Sequence, residues 1–223
     1  MEFTQRQKDI LETVVEEYIR MAQPISSQLL EERYDFGVSP ATIRNELVTL
    51  SEQGFLMQPH TAAGRVPTDR GYRFFVNELL EEQTQKEEQV FEELGNALEQ
   101  AGYIAKHIAN LASALSAVYL ERHKMLFKEG WEELLAEPEF ENRDTLKNFA
   151  KLVEEFEEKA GELPQRTGIQ IFIGREAPFS KCEEFSIMNA DFVLPEGEKG
   201  RVAILGPKRM AYEKNIRLLE SLL

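Results

Sequence analysis

Apolar residues recur at helical spacing in the first part of the chain. In residues 4–21 they form one stripe with two neighbouring apolar positions per turn: Ile10, Leu11, Val14, Val15, Tyr18 and Ile19. A period of about 3.6 residues predicts an amphipathic helix. Thr4 stands just before the stripe and can accept a hydrogen bond from the first turn, so we expect it to cap this helix.

Two shorter helices are predicted next. The first begins at a cap provided by Ser26 or Ser27 and stops at Gly37. The second covers residues 40–53, because Ser39 is a good cap and the proline that follows suits the first helical position. Its inward positions are Ile43, Leu47 and Leu50. Two short helices joined by a tight turn indicate a helix-turn-helix.

A hairpin is predicted directly after the third helix. Residues 55–57 and 73–76 are strand-like, and the segment between them is rich in proline and glycine. Three helices followed by a two-stranded wing predict a winged helix-turn-helix domain over residues 1–77.

The remaining residues, 78–223, mix helical and strand patterns, so the fold class is α+β. A long helix is predicted from residue 78 to about residue 128. It is rich in glutamate at first and later in alanine and serine, small residues that let another helix approach closely. A short helix, a break at Pro138 and an amphipathic helix follow. Three strand-like runs and a closing helix complete the chain: GIQIFIG, EEFSIMNADFVL, GRVAILG and PKRMAYEKNIRLLESLL.

The charge of the chain limits how it can approach nucleic acid. Forty acidic and 26 basic residues give a formal net charge of −14. Phosphate would be repelled by the chain as a whole, so any nucleic-acid binding has to be local. Residues 39–75 are the exception, with four arginines against three acidic residues.

The sequence favours a cytoplasmic protein. It has no run of about 18 apolar residues that would cross a membrane, and its charged N-terminal helix differs from the apolar core of a signal peptide. Cys182 is the only cysteine. No internal disulfide is therefore expected, which fits a reducing compartment.

The third predicted helix carries a polar face suited to DNA. Ser39, Thr42, Asn45 and Thr49 can share one side, with Arg44 beside them. Arginine pairs with guanine and asparagine with adenine, while serine and threonine contact phosphate or the thymine methyl group. The alternative is a solvated helix face without a ligand.

The hairpin adds His60, Thr61, Arg65 and Thr68 as candidates. A loop that contains glycine can follow a phosphate backbone or enter a minor groove. Taken alone, this tip is more simply a surface hairpin with an incidental arginine. Its position after the polar helix, in winged-helix order, favours DNA binding.

Several stretches closely resemble the HrcA family of heat-inducible transcription repressors. QPISS, SPATIRNE and QPHTAAGRVPTDRGYR resemble the N-terminal domain of that family. GWEELLAEPEF, IQIFIGREAPF and GRVAILGPKRMAYEKNIRLLESL resemble its later parts.

The resemblance implies a homodimer that binds an inverted-repeat operator in double-stranded DNA and represses chaperone genes. It also implies a second, GAF-like domain, here shortened, and an activity tuned by the GroEL chaperonin. The residues for which it implies operator contact are Ser39, Thr42, Arg44, Asn45, His60, Thr61 and Arg65.

Two other functions stay open. One is a ligand-sensing regulator whose second domain binds a small molecule, as GAF-like folds do. The other is an interaction module in which the acidic helices bind a partner protein and the DNA-reading domain is degenerate.

No set of residues predicts catalysis, a cofactor or a metal. His60, His107 and His123 are far apart, without carboxylates or thiols at ligand spacing. Cys182 has no evident base, and no nucleophile, base and orienting group occur together, so an enzyme is not expected. Lys208 and Arg209 follow a strand where an anion can dock, but a structural loop is the preferred interpretation.

Overall fold

The computed structural model describes residues 3–61, 63–82, 96–163, 166–180 and 182–223. The chain divides into two compact units, Met1–Gln83 and Thr84–Leu223. Each contains helices and antiparallel strands, which confirms the α+β class.

The first unit contains four helices and a two-stranded sheet in its described residues. The helices are α1 (Gln5–Met21), α2 (Ser27–Arg33), α3 (Pro40–Glu52) and α4 (Asp69–Glu82), and the strands are β1 (Leu56–Met57) and β2 (Val66–Pro67). The two strands are antiparallel, and Met57 pairs with Val66. Buried residues from all three of the first helices form the core of this unit: Ile10, Leu11, Val14, Val15, Leu30, Ile43, Leu47 and Leu50.

The predicted caps of the first three helices are confirmed. Thr4 accepts a hydrogen bond from the N–H of Gln7 at the start of α1. Ser26 caps α2, and Ser39 caps α3 directly before the proline at its first position. Each cap satisfies an N–H group that the helix itself leaves without an acceptor.

The predicted stop of α2 at Gly37 is wrong, because the helix already ends at Arg33. Tyr34 is extended, and its hydroxyl donates a hydrogen bond of 2.6 Å to Glu17, a fully buried carboxylate of α1. Arg33 donates to the other oxygen of Glu17 at 2.9 Å. The hydrogen bond to Glu17, together with burial, raises the pKa of Tyr34. Tyr34 thus contacts α1 from an extended conformation, directly after the last residue of α2.

The predicted strand at residues 73–76 is also wrong, because these residues lie inside α4. Thr68 precedes the helix and accepts a hydrogen bond from the N–H of Gly71 at 3.2 Å. The buried positions Tyr72, Phe75 and Val76 follow the spacing of one helical face. The strand that pairs with β1 is the shorter β2, which lies closer to β1 in the sequence.

The second unit is built around a five-stranded antiparallel sheet. Its elements are α5 (Ala97–Ala112), β3 (Leu115–Leu120), β4 (Met125–Glu129), α6 (Trp131–Leu135), α7 (Arg143–Lys159), β5 (Gln170–Ile173), β6 (Phe185–Val193), β7 (Lys199–Pro207) and α8 (Tyr212–Glu220). The strand order is β4-β3-β7-β6-β5. A core of aromatic and aliphatic residues joins α7 to β3, β6 and β7, while α5 and α8 also pack on the sheet.

The long helix predicted over residues 78–128 is interrupted. Residues 83–95 of that prediction lie outside the described residues. Ser113 adopts a left-handed conformation with φ of 50°, which ends α5, and β3 and β4 follow. The small residues of β3 fit equally well into a helix, but here they are buried in an inner strand, where packing overrides propensity. The sheet therefore contains the three predicted strands, β5, β6 and β7, and two strands that were not predicted, β3 and β4.

The predicted order of the elements between β4 and β5 is confirmed. A short helix, a break at Pro138, which begins a 3-10 turn, and α7 follow in the expected order. Arg209 lies in a structural loop before α8, where it donates hydrogen bonds to both oxygens of Glu139, at 2.6 and 2.9 Å, and to Glu137. Cys182 is buried.

Candidate nucleic-acid interface

One side of α3 is buried and the opposite side is exposed. The buried positions are Ile43, Glu46, Leu47 and Leu50. The exposed positions are Pro40, Ala41, Arg44, Asn45, Val48 and Glu52, and the half-buried Thr42 and Thr49 flank them. Four of the predicted DNA contacts therefore lie on or beside the outer side of one helix.

The acidic residue in the middle of α3 points inward. Glu46 accepts a hydrogen bond of 2.9 Å from Nε of Arg6 and one of 3.0 Å from Nε2 of Gln7. Both donors belong to α1. The negative charge of Glu46 is thus compensated on the inner side, and it does not oppose the positive charge of Arg44 on the outer side.

Two polar side chains of the outer side are available to a ligand. Within the described part of the chain, neither the guanidinium of Arg44 nor the side-chain amide of Asn45 has a hydrogen-bond or ionic partner.

The hydroxyl groups on this side are already engaged. The side chains of Ser39 and Thr42 are joined by a hydrogen bond of 2.9 Å. Thr49 donates to the carbonyl of Asn45 at 3.0 Å. These hydroxyls retain acceptor capacity, but they are less free than Arg44 and Asn45.

Internal hydrogen bonds join the described residues of the segment between β1 and β2, residues 58–61 and 63–65. The side-chain amide of Gln58 donates to the carbonyls of Thr61 at 3.0 Å and Ala63 at 2.8 Å. The N–H of Ala63 donates to the carbonyl of His60 at 2.8 Å. His60 and Thr61 are exposed at the tip of this loop. Among the described residues, no recorded contact joins the side chains of His60 or Thr61 to α3.

A backbone bridge attaches the loop to the start of α2. Ile25 and Arg65 exchange both N–H···O hydrogen bonds, at 2.8 and 2.7 Å. The approach is so close that a Cβ atom on Gly64 would lie 2.3 Å from the carbonyl oxygen of Ile25. Only glycine fits at this position without a shift of the backbone.

The loop and α3 together form a cleft with two arginines in its wall. Arg44 comes from α3 and Arg65 from the loop, and the described lining contains no acidic residue. Nε of Arg65 donates to the hydroxyl of Ser51 at 2.9 Å, which holds this guanidinium beside α3. The other lining residues are Ile25, Ser26, Ser27, Leu47, Gln58, Ala63 and Gly64. Two guanidinium groups in a lining without a described carboxylate make this cleft suitable for an anion.

The remaining arginine contacts that the structure records in the window are structural. Arg70 stacks on the ring of Phe55, with its guanidinium carbon 4.2 Å from the ring centroid, and it donates to the carbonyl of Gln53 at 2.8 Å. These contacts fasten α4 to the end of α3. The sequence did not reveal Gln58, Ser51 or Gly64 as parts of the site, because each acts through contacts with residues distant in the sequence or with the folded loop.

The described residues contain neither a metal-binding cluster nor a membrane-spanning helix. Across the described ranges, no three histidine, cysteine, aspartate or glutamate side chains are grouped as metal ligands. In the same ranges, every helix is too short or too polar to cross a membrane.

Comparison with known proteins connects the chain to one family. A family model described as the HrcA protein C-terminal domain matches residues 70–216. The heat-inducible transcription repressor HrcA of Natranaerobius thermophilus is 55% identical over 80 residues, which are 36% of this chain and 23% of that protein. The repressor of the same name from Desulforudis audaxviator is 38% identical over 126 residues, which are 52% of this chain and 37% of that protein.

A third relative aligns along almost its whole length. The heat-inducible transcription repressor HrcA of Carboxydothermus hydrogenoformans is 25% identical over 327 positions, covering 98% of this chain and 95% of that protein. The alignment is longer than this chain of 223 residues, so that relative contains segments with no counterpart here. The first two alignments, by contrast, cover less than two-fifths of the relatives' own length.

A solved structure shares the fold. A crystal structure of a hypothetical protein at 2.2 Å resolution aligns with 99% of this chain and 95% of its own, with a TM-score of 0.82 and 21% identity.

Proposed function

The chain belongs to the HrcA protein family, and on that premise we propose that it is a cytoplasmic transcriptional repressor that binds double-stranded DNA as a homodimer. The relatives are named heat-inducible transcription repressors, and the family is not one of enzymes. The targets that we propose are heat-shock genes, controlled through an inverted-repeat operator.

The observation that carries this proposal is the pair of arginines in the cleft of the first unit. A chain with a net charge of −14 places Arg44 and Arg65 in one cleft without a lining carboxylate. Asn45 follows Arg44 on the exposed side of α3, and its amide has no partner in the part of the chain that the structure describes. Local positive charge beside free donors and acceptors is what DNA recognition requires of an acidic protein.

In our proposal residues 1–77 act as a winged helix-turn-helix domain. The outer side of α3 enters the major groove, and the loop at residues 58–65 is the wing. The phosphate backbone beside the groove then passes over the cleft, where Arg44 and Arg65 bind it. Asn45, Thr42 and Thr49 face base edges or adjacent phosphates, with Ser39 at the start of the helix.

The tip of the loop has a separate role in this proposal. His60 and Thr61 are exposed beyond the cleft. They follow the backbone or enter the adjacent minor groove. In this proposal the two hydrogen bonds that Gln58 donates to the carbonyls of Thr61 and Ala63 hold these residues in place before DNA arrives. Such order lowers the entropic cost of binding.

The second unit supplies the link between two DNA-reading domains in this proposal. One helix such as α3 covers only a few base pairs, so two domains on an inverted repeat are needed for strong binding. We propose that residues 78–223, a helical segment and a shortened GAF-like domain, hold two chains together. Bound across a promoter, the dimer would exclude RNA polymerase. Relief on heating, and restoration by the GroEL chaperonin, complete the proposal.

Selection of DNA from a randomised pool tests the proposal. The full chain is expected to enrich an inverted repeat, and light scattering of the complex is expected to give two chains per duplex. A scrambled duplex of the same composition should bind at least about 1,000-fold more weakly, because this ratio is the lower limit of specificity that is typical of such proteins. Failure to enrich any sequence would contradict specific operator binding. A complex with one chain per duplex would contradict the dimer.

Arg44→Ala is expected to weaken binding to the enriched duplex by about 1–3 kcal/mol. The change removes one of the two guanidinium groups in the cleft, while the inner side of α3 keeps its packing. Titration at several salt concentrations on enriched and scrambled DNA separates two roles. An equal loss on both duplexes, with a smaller salt dependence, indicates a phosphate contact, whereas a loss confined to the enriched duplex indicates a base contact.

Lys214→Ala, in α8 of the second unit, serves as the charge-matched control, because it removes one positive charge far from the cleft in sequence. It should leave both affinities nearly unchanged. If Arg44→Ala behaves like this control, Arg44 has no part in DNA binding.

A further inference from the structure

We propose that Val48 reads the 5-methyl group of a thymine in the major groove. The inference rests on the proposed function, since it requires that the outer side of α3 faces DNA. It adds a specificity residue that the polar pattern of the sequence did not indicate.

Val48 lies in the middle of the outer side of α3. Successive helical residues are about 100° apart. The buried positions Ile43, Glu46, Leu47 and Leu50 centre on one direction, and Val48 points within about 30° of the opposite direction. The side chain is 40% exposed. Among the exposed positions of α3, it is the largest apolar side chain that this helix presents to a ligand.

Two neighbours of Val48 are the polar side chains without a partner in the described part of the chain, and a third is the exposed Glu52, four residues later. Arg44 precedes it by four residues and Asn45 by three, and these spacings place side chains next to each other on a helix. A single exposed apolar residue is ordinary on a protein surface. Here, however, the apolar side chain lies between a guanidinium and an amide. This mixture fits a binding partner whose surface is mostly polar but carries single apolar groups.

The major groove of DNA has that character. It presents donors and acceptors from every base pair, while its one apolar group is the methyl group of thymine. The side chain of valine is branched at Cβ and has one strongly preferred rotamer in a helix. It can therefore bury a methyl group at little cost in side-chain entropy. A valine at this position contributes nothing to hydrogen bonding, so its contribution to recognition has to come from apolar contact.

The experiment replaces thymine by deoxyuridine, which removes only the methyl group. The probe is the duplex that the full chain enriches from a random pool, with each thymine of one half-site replaced in turn. We expect one position at which the affinity of the native chain falls about three- to fivefold, the effect of burying one methyl group. Fluorescence anisotropy of a labelled duplex measures each affinity.

Val48→Ala links the methyl group to the residue. This variant should bind the all-thymine duplex three- to fivefold more weakly per half-site. At the critical position it should no longer distinguish thymine from deoxyuridine. Alanine favours the helix more than valine does, so the loss cannot come from unfolding of α3. Circular dichroism melting of the variant verifies this point.

Leu80→Ala is the matched control. Leu80 lies on α4 and is 39% exposed, close to the value for Val48. Its replacement should change neither the affinity nor the thymine preference.

Three outcomes would overturn the inference. If the Val48→Ala variant still prefers thymine over deoxyuridine as strongly as the native chain does at every position, another residue makes the methyl contact. If Val48→Ala changes the number of chains per particle in the absence of DNA, as measured by light scattering, this surface is assigned to contact with a second copy. If the pool yields no enriched duplex at all, the proposed function itself is contradicted. This result differs from an enriched duplex whose thymine preference does not depend on Val48, which contradicts only the present inference.

Discussion

Replacement of Phe149 by alanine is expected to lower the free energy of unfolding of the second unit by about 3–5 kcal/mol. Phe149 is fully buried in α7. Its ring lies 5.0 Å from that of Phe185, 5.1 Å from that of Phe140 and 6.1 Å from that of Trp131, measured between centroids. Alanine would leave a cavity among three aromatic rings, because strand and helix backbones cannot close over it.

The single tryptophan of the chain reports this effect directly. Trp131 belongs to the second unit and stands edge-on to Phe149, so its fluorescence follows unfolding of that unit. Urea titration of the native chain and the variant gives the difference. Leu135→Ala, at a position that is 48% exposed on α6, should change the same transition by no more than about 0.5 kcal/mol. If Phe149→Ala leaves the urea midpoint of the tryptophan fluorescence transition unchanged, this ring cluster does not stabilise the unit.

The same variant separates the two parts of the proposed function. If the second unit joins two DNA-reading domains, Phe149→Ala should lose binding to the inverted repeat at a lower temperature than the native chain does. Binding to a single half-site should persist, since the first unit does not contain Phe149.

Gly64→Ala is expected to cost the first unit about 3 kcal/mol and to weaken DNA binding severely. The added Cβ would approach the carbonyl oxygen of Ile25 to 2.3 Å, and a backbone atom cannot move aside as a side-chain end can. Steric overlap of this kind costs about 1–3 kcal/mol, and contact with backbone places it at the upper end. Relief of the overlap would break the bridge between Ile25 and Arg65, which displaces Arg65 from the cleft.

Gly37→Asn provides the comparison for this variant. Gly37 has a φ of +66° and open space around its Cβ position, and asparagine tolerates that conformation. Its stability and DNA affinity should therefore stay close to native, as measured by circular dichroism and anisotropy. Native-like DNA binding by Gly64→Ala would contradict the role that we assign to the bridged loop.

The sequence predicted those parts of the fold that depend on local signals. The caps Thr4, Ser26 and Ser39 and the stripe of α1 are local features, since a helix start is decided within a few residues. The errors occurred where distant contacts decide. Residues 73–76 are apolar enough for a strand, yet Thr68 and the core of the first unit make them helical. The small residues of β3 are compatible with a helix, and only their place inside the sheet makes them a strand.

The candidate site was predictable to a similar degree. The polar side of α3 follows from helical spacing, so Arg44 and Asn45 could be selected from the sequence. The need for glycine at position 64 arises from Ile25, about 40 residues earlier, and no local pattern announces that approach. The hold of Ser51 on Arg65 likewise appears only after α3 and the loop have come together.

The position of β7 in the sheet sets the order in which the protein can fold during synthesis. β7 lies between β3 and β6, so β3 has no inner neighbour until residues 199–207 have left the ribosome. The first unit is a compact unit of residues 1–83, and such a unit is expected to fold while translation continues. Each new chain therefore passes through a period in which its first unit can be complete while the apolar face of β3 is still uncovered on one side.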